Sequence, residues 1–84
     1  MKDLIQKIEL GTATMYLKNG KLHNEGEPAW IHADGTIEYY TDGKLDNKNG
    51  PARILNNGLI KEYWFNGVYG GREVDGVFYS WSLE

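Results

Sequence analysis

The chain contains no cysteine, which removes disulfide staples, thiolate nucleophiles and Cys-ligated zinc together. That absence fits a reducing compartment. No apolar run approaches the roughly 20 residues needed to span a bilayer, and the opening "MKDLIQKIEL" lacks the long apolar core of a signal peptide. The expectation is a cytoplasmic protein with no membrane partner. Basic residues are few and scattered: nine Lys and Arg stand against twelve Asp and Glu, for a net charge of −3. Phosphate binding draws on a basic patch, so nucleic acid is not expected as a partner, and the carboxylates are too dispersed for an acidic mimic of DNA. The only histidines, His23 and His32, fit no ligand motif. No nucleophile–base pair or paired carboxylates can be named. An enzyme is not expected, and neither is a metal or other cofactor. With 84 residues there is one small domain, 1–84, able to bury only about 60% of its unfolded surface or a little more.

Glycine is what the chain has in abundance. Of eleven glycines, those at 20, 35, 43, 50, 58, 67 and 76 each follow Asn or Asp. Both residue types tolerate left-handed backbone, and Asn-Gly or Asp-Gly between β-prone runs is the strongest short-range hairpin signal. The spacing leaves room for strands of about five residues. The fold class this predicts is mainly β, an antiparallel meander of repeated short β-hairpins.

The hairpins repeat. "GKLHNEGEPAWI" from Gly20 aligns with "GKLDNKNGPARI" from Gly43, carrying Asn24 onto Asn47, Pro28 onto Pro51, Ala29 onto Ala52, Trp30 onto Arg53 and Ile31 onto Ile54. Glu38 and Tyr39 then match Glu62 and Tyr63 one residue late, which predicts a β-bulge near Lys61. A partial repeat covers 8–19, full repeats cover 20–42 and 43–66, and a degenerate one covers 67–84. Atypical terminal units are expected of repeat proteins.

Three-residue loops at Ala33–Gly35 and Asn56–Gly58 would set Ile31 opposite Ile37 and Ile54 opposite Ile60. Side chains alternate along a strand. Ala29, Ile31, Ile37 and Tyr39 therefore share a face with Ala52, Ile54, Ile60 and Tyr63, and this is the expected buried face. The opposite face carries Trp30, His32, Thr36, Glu38, Tyr40, Arg53, Leu55, Leu59 and Trp64. Residues 67–76, "GVYGGREVDG", lack the Gly-Lys-Ser/Thr ending of a phosphate loop and read as a bulged or sharply turned edge. At the N-terminus, Leu4, Ile5 and Ile8 on one helical face with an Asp3–Gln6 capping box favour a short helix. A strand through Leu4, Gln6, Ile8 and Leu10 competes. At the C-terminus Val77, Tyr79, Trp81 and Leu83 alternate as a strand that closes the sheet.

The segment "YYTDGKLDNKNGPARILNNGLIKEYWFNG", and more broadly Tyr16 to Gly67, resembles the MORN-like repeats of bacteria, tailed phages and large DNA viruses. Glu27 stands where those repeats usually have Gly, and Asp46 where they have His, as at His23. The resemblance implies a single-layer meander and a role as an interaction surface. It extends to a phage or mobile-element accessory protein that inhibits or adapts a host factor. Trp, Tyr and Arg are the types enriched at binding hot spots, so the candidate binding residues are Trp30, His32, Glu38, Tyr40, Arg53 and Trp64, with Trp81 a further aromatic. A host protein is the expected partner. A homo-oligomer that covers the open sheet edges and a nucleotide or sugar stacked on the aromatics are the alternatives.

Overall fold

The structure, a computed structural model, describes residues 4–80. These form eleven short strands: β1 Ile5–Leu10, β2 Ala13–Lys18, β3 Lys21–Leu22, β4 Trp30–Ile31, β5 Ile37–Glu38, β6 Tyr40–Thr41, β7 Lys44–Leu45, β8 Arg53–Leu55, β9 Ile60–Phe65, β10 Val68–Val74 and β11 Val77–Tyr79. The main sheet runs β1-β2-β4-β5-β8-β9-β10-β11, with β3 paired to β2, while β6 and β7 make a separate two-stranded ribbon. Every pairing is antiparallel. The meander of hairpins predicted from the glycine spacing is the fold. At the Asn19-Gly20, Asp42-Gly43, Asn66-Gly67 and Asp75-Gly76 turns both residues have positive φ, the requirement of a two-residue type I′ connection.

The repeat reappears as duplicated hydrogen bonds. Tyr16 N–H donates to the Ala29 carbonyl and Tyr39 N–H to the Ala52 carbonyl, both at 2.7 Å; Ala29 N–H donates to Glu38 and Ala52 N–H to Glu62. The Asn24 and Asn47 amides donate to the Pro28 and Pro51 carbonyls at 3.0 and 2.9 Å. The aliphatic stems of Lys21 and Lys44 lie against the turn glycines Gly43 and Gly67 of the following unit. Even the odd column obeys the rule. His23 Nδ1 accepts the Asp42 N–H at 3.0 Å, and Asp46 Oδ1 accepts the Asn66 N–H at 2.7 Å. Each side chain offers an acceptor to the last residue of its own unit, in the turn that leads into the next, so Asp46 replaces His23 without loss of the bond.

Three expectations need correction. The N-terminal helix is absent: Ile5–Leu10 is strand β1, paired residue for residue with β2 from Ile5↔Lys18 to Leu10↔Ala13. Gly11, at φ +63, reverses the chain and offers a ready backbone partner, which outweighs the weak stability of a two-turn helix. Asp3 of the supposed capping box lies outside the described residues, as do Trp81 and Leu83. Next, the register of the second hairpin is shifted. The first pairs Ile31 with Ile37 as expected, but the second pairs Leu55 with Ile60 and Ile54 with Lys61. The extra residue is absorbed by a longer turn, Asn56 to Leu59, closed by Leu59 N–H donating to Asn56; no bulge forms at Lys61. A register shift does occur in β10 between Tyr69 and Gly71, within the glycine-rich segment read as a bulged edge. A Cβ at Gly71 would come within 2.9 Å of the Tyr79 carbonyl oxygen.

The third correction concerns burial. The isoleucines expected inside are only half-buried, and the fully buried hydrophobic residues are Ala29 and Ala52. No large side chain among the described residues is fully buried. The accessible surface, 5889 Å², exceeds the about 5,100 Å² expected of a compact protein of this mass. Among the described residues the sheet has no sealed core, and stability leans on backbone bonding between units.

Replacing Asp46 by Ala removes the acceptor for both the Asn66 N–H and the Thr41 hydroxyl. It should lower stability by about 1 kcal/mol, while Asp46→His, which copies the neighbouring unit, should lose less than half as much. Urea unfolding of the two variants beside the parent measures the difference. Equal losses would show that the column is not a shared acceptor site.

Candidate functional site

Cross-strand neighbours share a face, so the pairings trace a row across the sheet: Ile8, Met15, Trp30, Glu38, Arg53, Glu62, Arg72 and Tyr79. From Glu38 to Arg72 the charges alternate in sign. The next row, Thr14, Ile31, Ile37, Ile54, Lys61, Glu73 and Phe78, faces the other way. Two residues along each strand, His32, Tyr40 and Trp64 join the first face. All six candidate residues therefore lie on one side of the sheet. Ile60 joins them there, opposite Leu55, because of the shifted register.

Glu38 is the centre of this face. It was expected on an outer surface, yet it is only 6% exposed. Burial of a carboxylate is tolerable only with partners that replace water, and Glu38 has them. Arg53 Nε donates to its Oε2 at 2.8 Å and the Tyr40 hydroxyl donates to Oε1 at 2.9 Å; His32 Nε2 stands 3.3 Å from the same oxygen but makes no hydrogen bond to it. Arg53 reaches on to Glu62 through Nη1 at 3.4 Å, and the Trp64 indole N–H donates to Glu62 Oε1 at 3.1 Å. The Trp30 ring stacks on His32 with centroids 4.2 Å apart, and Trp64 meets Tyr69 edge-on at 5.2 Å. Glu38–Tyr40 and Glu62–Trp64 are one device used twice: a carboxylate holds the aromatic two residues later on the same strand face.

The electrostatics follow the geometry. Arg53 loses hydration, which by itself would lower its pKa, but the Glu62 and Glu38 carboxylates outweigh that and raise it, so the guanidinium stays charged. The Tyr40 phenol is pushed up to about 12 by burial first and then by its hydrogen bond to Glu38.

Glu62 was missed as a member of the site. Its alignment with Glu38 was the available signal. Other candidate chemistry does not converge. Among the described residues no group of three His, Asp or Glu side chains could hold a metal ion. A cleft of about 300 Å³ opens between the equivalent loops His23–Glu27 and Asp46–Asn49 beside Tyr39, Tyr40 and Thr41. Within it, Asn24, Asn47 and Asp46 are engaged by neighbouring backbone and Thr41, as befits structural loops.

Two outcomes test the network. Arg53→Met leaves the Glu38 carboxylate without its cation and should cost about 2 kcal/mol; adding Glu38→Gln should recover part of the loss, since the stranded charge is gone. A double-mutant cycle by urea unfolding reads the coupling, and additive losses would show that the two groups act independently. For Tyr40, a folded-state pKa above the ordinary value of 10 favours the neutral phenol. Its contribution is full below that ordinary value and is lost as pH rises through about 12. Phenolate absorbance should show a late-titrating tyrosine that Tyr40→Phe removes, together with a shallower alkaline loss of stability.

No protein family, curated protein or solved structure matches the chain.

Proposed function

We propose that this chain is a non-enzymatic protein-binding module whose partner docks on the face built by Trp30, His32, Glu38, Tyr40, Arg53 and Trp64. The observation that carries this is that the two indoles and the guanidinium are half-buried yet held in position by Glu38, Glu62 and His32. Half-exposed Trp and Arg are the types that dominate binding energies. Fixing them beforehand removes part of the ordering cost that association otherwise carries. The alternating charges give the face a polarity pattern that a complementary protein surface can read.

The MORN-like resemblance supports extending this to a phage or mobile-element accessory protein that acts on a host factor in the host cytoplasm. No helix of the described chain is long and apolar enough to cross a membrane.

Trp30→Ser and Arg53→Glu, each made alone, should weaken partner capture at least about tenfold. Lys61→Ala, in the row that faces the other way, should leave capture unchanged. Quantitative pull-down from host lysate, with circular dichroism confirming the fold of each variant, is the measurement. Capture that survives both face substitutions places the partner elsewhere.

A further inference from the structure

The outer edge of the main sheet at β1 is a strand of six residues, and among the described residues β1 pairs only with β2. Leu4 and Leu10 at its ends are 76% and 62% exposed. A long, partly apolar edge with free backbone groups invites strand addition. The order of its residues selects the strand that fits.

The phase of the free backbone groups comes first. Leu10 and Ala13 close a two-residue hairpin, and the closing pair of such a hairpin exchanges both backbone bonds. Leu10, Ile8 and Gln6 therefore direct their N–H and C=O groups toward β2, whereas Glu9, Lys7 and Ile5 direct theirs outward. The far side of β2 agrees: Tyr16, opposite Lys7, sends its N–H to Ala29 and accepts from His23, away from β1. An added antiparallel strand must bond at Ile5, Lys7 and Glu9.

Charge then fixes the register. Lys7 and Glu9 lie on the same face, 3.1 Å apart and exposed. For a second β1 strand placed antiparallel about a two-fold axis, the hydrogen-bonding phase allows registers in steps of two. One puts Lys7 against the partner's Lys7, another puts Glu9 against the partner's Glu9, and like charges directly opposite are destabilising. The register between them is centred on Ile8. It sets Lys7 against the partner's Glu9, and Glu9 against the partner's Lys7, in hydrogen-bonded pairs. On the other face Ile8 meets the partner's Ile8 as a non-hydrogen-bonded pair, where side chains approach most closely.

We propose that the chain forms a two-fold symmetric dimer through antiparallel β1–β1 pairing centred on Ile8, joining two sheets into one. The occupant of this edge is a second copy of the same chain. The contact is isologous, so it closes on itself and stops at two copies. It does not depend on the binding face proposed above.

The test uses charge reversal on the full chain. Lys7→Glu and Glu9→Lys, made separately, each place like charges across the two-fold axis and should weaken dimerisation by about tenfold or more. Mixed in equal amounts, the two variants present only opposite charges across the interface, and a heterodimer should form about as tightly as the parent homodimer. Within each variant strand residues 7 and 9 still repel, so recovery on mixing reports contact between chains. Sedimentation velocity over a concentration series reads the state, and far-UV circular dichroism confirms that both variants fold. The proposal is overturned if the parent stays monomeric into the millimolar range, if the separate variants dimerise as tightly as the parent, or if mixing restores nothing.

Discussion

Backbone hydrogen bonds through two fully buried alanines fasten each unit of this chain to its neighbours. Ala29 accepts from Tyr16 and donates to Glu38; Ala52 accepts from Tyr39 and donates to Glu62. Both alanines have no exposed surface. The preceding prolines lack an N–H, which removes a donor that would otherwise need a partner at each junction. Their carbonyls are taken by Asn24 and Asn47. With no sealed hydrophobic core, cohesion is a sum of nearest-neighbour contacts, the regime of repeat proteins. In that regime a side chain earns its place by what it gives the junction between units: Lys21 and Lys44 reach across it, and His23 and Asp46 hold the turn that leads into it.

The absence of a fully buried large side chain among the described residues also accounts for the chemistry of the candidate face. A carboxylate such as Glu38 is normally kept from burial by its hydration. Here Arg53 and Tyr40 supply hydrogen bonds in place of water, and the Trp30–His32 stack flanks them. Part of the burial that apolar packing gives other proteins is replaced by a connected polar and aromatic layer. Such a layer is specific because its members have few other satisfactory arrangements. That makes the face structural and part-exposed at once: Glu38 is buried beneath it, while the half-buried Trp30, Arg53 and Trp64 are the members that the proposed partner would touch.

Much of this was legible in the sequence. The Asn-Gly and Asp-Gly dipeptides located the turns because left-handed backbone is a local demand that few residues meet. Alternation from the Ala33–Gly35 loop placed Trp30, His32, Glu38 and Tyr40 on one side, and equivalence between units brought in Arg53 and Trp64. The failures share a cause: each turned on a partner distant in sequence or on a choice between close energies. The residue gained by the second repeat could enter a strand or a turn. Lengthening the turn to Leu59 keeps Arg53 opposite Glu62, just as Trp30 stays opposite Glu38, whereas a bulge would disturb the ladder beside the Arg53–Glu62 contact. Burial of Glu38 depends on Arg53 from the next strand, and local hydrophobicity carries no trace of it. Ile5–Leu10 fits either helical or strand spacing, and its pairing with β2 decided the matter.

The two outer strands complete the argument about faces. Ile8 begins the same cross-strand row that passes through Met15 and Trp30 to Glu38, Arg53 and Glu62. A two-fold axis through Ile8 would therefore continue that row from one copy into the next, with the face of both copies presented on the same side of the joined sheet. At the other end the row finishes at Tyr79, 53% exposed beside Val77 and Phe78. Among the described residues β11 has three residues and β1 has six, so the longer described ladder of outward backbone groups lies at β1. Joining copies there would place the two candidate faces symmetrically about the edge and offer a partner two equivalent surfaces, with effective concentration adding to affinity where both can be engaged.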